Sequence, residues 1–67
     1  KYVWINSVED YLEVDKCGEE VKKEIEYFVN KYAVNDNGNK FISKRNLKNI
    51  AGYIGKKYKI GIWREMK

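Results

Sequence analysis

Asn35-Asp36-Asn37-Gly38-Asn39-Lys40-Phe41-Ile42-Ser43 is the stretch on which the reading of the fold turns. Its run of Asn, Asp and Gly marks a chain reversal, because these residues tolerate the left-handed backbone that a reversal needs. Phe41 and Ile42 then re-enter the core. Ser43 is placed as an N-cap, with a hydroxyl suited to accept from an orphan amide of a following helix.

Beyond Ser43, Leu47, Ile50, Ala51 and Ile54 recur at helical spacing and predict a helix from about Lys44 to Ile54. Lys44, Arg45, Lys48 and Asn49 lie off that stripe. Gly55 falls where a glycine closes a helix in the left-handed conformation. The remainder, Lys56 to Lys67, stays open between two readings. Ile60, Trp63 and Met66 suit one helical face, whereas Ile60-Gly61-Ile62-Trp63 suits a short strand, and Gly61 costs a helix about 1 kcal/mol relative to Ala.

Before the reversal, Val21, Ile25, Phe28, Val29 and Tyr32 form the clearest amphipathic stripe. They predict a helix from Glu19 to about Ala33, with Glu19 and Glu20 in its first turn. Asp15-Lys16-Cys17-Gly18 reads as a break. A shorter helix is expected from about Val8 to Val14, capped by Ser7, with Val8, Tyr11 and Leu12 on one face. Tyr2-Val3-Trp4-Ile5 is a β-prone run. Trp4 and Trp63, near opposite ends, predict that both termini fold onto one core, with two short paired strands as one way of doing so.

The fold expected from these elements is mainly all-α: a single compact domain over residues 1–67, of three to four helices, with short β-prone termini. The chain has 67 residues, 43% of them hydrophobic and 15% aromatic, enough for a small packed core. Lys1 in place of Met reads as an excised domain or a processed product.

Histidine is absent and Cys17 is the single cysteine. This excludes an internal disulfide, Cys–His and Ser–His nucleophile pairs, and ordinary zinc fingers. No apolar run approaches the roughly 18 residues that span a bilayer. The expectation is therefore no enzyme, no cofactor, no metal site and no membrane partner. Expected localisation is cytoplasmic, nuclear or nucleoid, in a reducing compartment.

Charge divides the chain unevenly. Residues 1–33 carry a net −3 and residues 34–67 a net +7, within a formal total of +4. An excess of this size points to a polyanionic or acidic partner for the later half. Its candidate contact residues are Lys44, Arg45, Lys48, Asn49, Lys56, Lys57, Tyr58, Lys59 and Arg64. The cations contact phosphates, Asn49 hydrogen-bonds bases or phosphates, and Tyr53 and Tyr58 pack on sugar or bases. The function expected is nucleic-acid binding, with duplex DNA favoured over RNA or single strands. The alternative is a protein-interaction module, in which opposite-charge halves promote homodimerisation or docking onto an acidic protein.

Leu47-Lys48-Asn49-Ile50-Ala51-Gly52-Tyr53-Ile54-Gly55-Lys56-Lys57-Tyr58 resembles the second helix and turn of helix-turn-helix DNA-binding domains, over about residues 44–66. There a small Ala lets two helices approach, a Gly makes the turn, and the next helix presents its N-terminal end to the major groove. The resemblance implies that Lys56, Lys57 and Tyr58 open a recognition segment, with Lys59 and Arg64 nearby. Gly61, Ile60, Ile62 and Trp63 depart from the pattern, which leaves a winged variant open. Asn35 to Gly55 also resembles a degenerate, metal-free EF-hand-like hairpin. Its ligand positions would be Asn35, Asn37, Asn39 and Asn46, too poor in carboxylates to neutralise calcium, and Lys40 replaces the glycine of the loop's sharp turn.

Overall fold

The computed structural model describes residues 2–64 and shows an α+β domain. Strand β1 (Tyr2–Trp4) is followed by two 3-10 turns, Ile5–Asp10 and Val14–Lys16. Helix α1 (Glu19–Tyr32), strands β2 (Val34–Asp36) and β3 (Asn39–Ser43), and helix α2 (Lys44–Tyr58) complete the order. The strands form an antiparallel sheet in the order β1-β3-β2, with β3 in the middle. The expectation of a mainly all-α domain is thus corrected.

The sheet exists because the reversal is a tight hairpin. Asn37 and Gly38 both have positive φ (52° and 84°), between the paired residues Asp36 and Asn39. A two-residue loop with this backbone matches the right-handed twist of its flanking strands, and Asn-Gly is the sequence that favours it. Asn35 Oδ1 accepts from the Gly38 amide at 3.1 Å. Residues 35–46 are thus most of a β-hairpin and the start of α2. β1 then adds to β3 in the register Tyr2–Ser43, Val3–Ile42, Trp4–Phe41.

Side chains alternate across the sheet. Val3 and Ile42 enter the core with Val8, Leu12, Val21, Ile25, Val29, Leu47, Ile50, Ala51, Ile54 and Ile62. Tyr2, Trp4, Val34 and Phe41 share the opposite face, where Trp4 and Phe41 stack with centroids 4.7 Å apart.

The expected helix over Val8–Val14 is replaced by the two 3-10 turns. Ser7 makes no cap, and the Tyr11 amide closes an i→i−3 bond on Val8 O at 2.9 Å. The six residues between β1 and Tyr11 are too few to repay nucleation of a full α-helix.

The expected end of α2 at Gly55 is also corrected. The helix runs through Gly55 to Tyr58, and Lys59, at φ 57° and ψ 45°, supplies the left-handed cap. Ser43 caps the other end as expected, its Oγ accepting from the Asn46 amide at 3.1 Å. The turn that the helix-turn-helix resemblance places at Gly55 thus lies inside one continuous helix.

Neither reading of residues 56–67 holds as a whole: residues 56–58 continue α2, and residues 60–63 form no strand but make one isolated bridge, at Trp63. Glu13 N donates to Ile62 O and Arg64 N to Tyr11 O, each at 2.7 Å, around a Leu12–Trp63 bridge. Among the described residues, the segments near the two termini do not pair with each other. Trp4 pairs with Phe41 and Trp63 with Leu12. Met66 lies outside the described residues.

Candidate nucleic-acid interface

Helix α2 carries Lys44, Arg45, Lys48, Lys56 and Lys57 and contains no Asp or Glu. Leu47, Ile50, Ala51 and Ile54 bury one side of it. At 100° per residue the opposite side is centred on Arg45, Gly52 and Lys56, with Lys48 and Asn49 on its shoulders. All five are exposed, as is Lys59 just past the helix. From Arg45 to Lys56 this ridge is roughly 16 Å long at a rise of about 1.5 Å per residue.

The nine expected contact residues separate into three groups. Arg45, Asn49, Lys56 and Lys59 are exposed, and among the described residues no ion pair engages these three cations. Lys44 and Lys48 are exposed too, but lean over aromatic rings. Lys44 Nζ sits 5.2 Å from the centre of Tyr11, and Lys48 Nζ 6.0 Å from that of Trp63, near the limit for a cation–π contact.

Lys57, Tyr58 and Arg64 are used inside the domain. Lys57 Nζ donates to Glu24 Oε1 at 2.8 Å, and the Tyr58 hydroxyl donates to Glu24 Oε2 at 2.5 Å. The Lys57 hydrogen bond, then that of Tyr58, hold the Glu24 carboxyl below its usual range, and the same carboxylate raises Lys57 and Tyr58. Arg64 reaches Glu13 at 4.0 Å, Asp15 at 3.9 Å and the Glu9 carbonyl at 3.5 Å. Carboxylates of the acidic first half thus cap these members of the expected cationic set.

Sequence reasoning missed two features beside the ridge. Gly52 sits on its crest with nothing within 4 Å of an added Cβ, so no packing demand explains a residue that weakens a helix. Along one flank, Asn46, Asn49, Ile50 and Tyr53 meet Phe28 and Tyr32 of α1 around a cleft of about 400 Å³. The signal was present as Phe28/Tyr32 at i, i+4 and Asn46/Asn49/Tyr53 at i, i+3, i+7. Phe28 and Tyr32 belonged to the stripe read as core, yet Phe28 is half-buried and Tyr32 exposed.

Among the described residues no group of His, Cys, Asp and Glu is arranged to hold a metal ion, and no helix is long and apolar enough to cross a membrane. Burial raises the Cys17 thiol above its ordinary pKa, and its S–H faces the Glu13 carbonyl. A thiol so placed is a poor nucleophile. Comparison with protein-family models, with curated proteins and with solved structures returned no match.

Proposed function

We propose that the domain binds nucleic acid, with duplex DNA favoured, through the outward ridge of α2. The observation that carries this reading is the ridge itself: Arg45, Lys48 and Lys56, with Asn49 between them, on a helix without a carboxylate, and Lys59 exposed just past its end. An α-helix fits the roughly 12 Å width of the major groove. Phosphate contacts from the cations supply most of the affinity and fix the register, and Asn49 is the side chain suited to read a base edge. Gly52 on the crest lets the helix backbone approach the groove closely. The capped acids, Glu24 with Lys57 and Tyr58, and Glu13 and Asp15 with Arg64, carry less repulsion toward a polyanion than free carboxylates would.

The test is binding of a labelled random-sequence duplex followed by fluorescence anisotropy as salt is raised. Four phosphate contacts give a slope of log K against log salt of about −3.6. Arg45→Glu with Lys56→Glu is expected to abolish binding. Lys16→Glu with Lys23→Glu, an equal charge change away from the ridge, is expected to leave most of it. Equal losses in both pairs would reduce the effect to net charge and overturn the reading.

A second reading, a protein-interaction module that self-associates, is favoured by the uncovered sheet face. Tyr2, Trp4 and Val34 are 66%, 51% and 50% exposed beside Phe41, and Asp36 is the one charged residue among the strand positions of that face. A patch of this kind suits an isologous contact between two copies of the chain. Sedimentation of the domain alone decides it: a dimer broken by Trp4→Ser supports this reading, and a monomer at high concentration removes it.

A further inference from the structure

We infer that the cleft between α1 and α2 is a nucleobase site, which takes one unpaired base from a strand whose phosphates lie along the α2 ridge. The inference rests on the nucleic-acid reading of α2 and adds a ligand class that the ridge by itself does not specify.

The walls are aromatic. Phe28 and Tyr53 meet edge to face, with centroids 5.3 Å apart and planes at 71°, and Tyr32 is exposed one turn beyond Phe28. Rings of this kind offer stacking surface to any base. Ammonium groups stand over the outer rings, Lys57 Nζ at 5.9 Å from Tyr53 and Lys31 Nζ at 5.8 Å from Tyr32. No carboxylate lines the cleft.

The polar part of the lining is a pair of carboxamides. Asn46 and Asn49 stand one turn apart on the same flank of α2, and among the described residues neither side chain is used in a hydrogen bond. Each carboxamide presents both a donor and an acceptor, the combination that matches the edge of a base and above all that of adenine. An apolar protein side chain in the same place would bury both amides without partners, a penalty a base avoids. Asn49 also stands one turn from Arg45 and two from Lys56, so the cleft opens beside the phosphate-binding ridge. A base already paired in a duplex cannot enter, because its two faces are stacked on the neighbouring pairs and are not open to the aromatic walls. The site therefore selects nucleic acid with an unpaired base next to a bound backbone, such as a single-stranded overhang on a duplex.

The test compares three labelled DNAs by anisotropy: a blunt duplex, the same duplex with a short adenine-containing overhang, and the overhang strand alone. Stacking of one base corresponds to roughly 5- to 150-fold in affinity. The expected result is overhang binding at least fivefold tighter than blunt. Tyr53→Leu and Asn46→Leu should each remove that preference while leaving blunt-duplex binding near the parent value. Tyr53→Leu also gives up its contact with Phe28 and should melt somewhat lower, whereas Asn46→Leu should melt near the parent temperature. A 2-aminopurine in the overhang should be quenched by the parent protein and not by Tyr53→Leu. Equal binding of blunt and overhang DNA, or a preference that survives Tyr53→Leu, overturns the nucleobase site while the ridge stands. Failure to bind any of the three overturns the ridge and the cleft together.

Discussion

The backbone carbonyl oxygen of Ile60 stands 2.6 Å from the position that a Cβ on Gly55 would occupy. The Ile60 amide donates to Gly55 O at 3.0 Å, so the chain leaving α2 folds back directly onto that residue. Glycine is required there by contact, since the left-handed residue of the cap is Lys59.

Gly55→Ala is accordingly expected to destabilise the domain. Ala gains about 1 kcal/mol of helix propensity, but the displaced atom is backbone and cannot rotate away, and overpacking costs typically 1–3 kcal/mol. The expected outcome is a net loss of about 1 kcal/mol in urea denaturation. Lys59→Gly, which relieves a left-handed non-glycine residue, should gain about 0.5–1 kcal/mol in the same assay.

Glu24 predicts a two-sided pH dependence. Its carboxyl titrates lower in the folded chain, because Lys57 and Tyr58 hydrogen-bond to the charged form. The stabilisation is present above the unfolded carboxylate pKa and is lost as pH falls through the lowered folded value. Tyr58 and Lys57 titrate higher when folded, so their share is complete below their unfolded pKa values and lost as pH rises through the raised ones. Melting temperatures from pH 2 to 12 should show both limbs, and Glu24→Gln should flatten each of them.

The hairpin and the cap are separable. Gly38→Ala places a side chain at φ 84° and should cost about 1–2 kcal/mol. Ser43→Ala removes the acceptor of the Asn46 amide and should cost about 1 kcal/mol. The two sites do not share a partner, so the double variant should lose close to the sum of the single losses.

Gly52 sets stability against binding. With open space at its Cβ position, Gly52→Ala should stabilise the domain by about 0.5–1 kcal/mol in thermal melts. If α2 enters a groove, the bulkier Gly52→Leu should weaken DNA binding while keeping the fold. Binding unchanged by Leu would mean that the crest of the ridge does not approach its ligand.

Much of this molecule is legible in its residues, and the rest fails for identifiable reasons. The α1 stripe and the Ser43 cap follow from spacing and from the chemistry of a hydroxyl. The hairpin's turn is visible in Asn37-Gly38, but its strands are not. Val34-Asn35-Asp36 is short and polar, and β1 meets β3 only across some forty residues of intervening chain. Gly55 misled because a helix-ending glycine and a glycine touched by returning backbone look alike in one dimension. The cationic set was legible as an inventory only. That Glu24 would claim Lys57, and Glu13 with Asp15 would claim Arg64, depends on tertiary contacts that no local pattern carries.

Ile62 is buried against residues that precede it by about fifty positions, and its carbonyl accepts from Glu13. A chain emerging from the ribosome therefore cannot complete its core until this late segment has cleared the exit tunnel. Until then Leu12 lacks the backbone partner that Trp63 supplies, and the side of the core that Ile62 closes stays open.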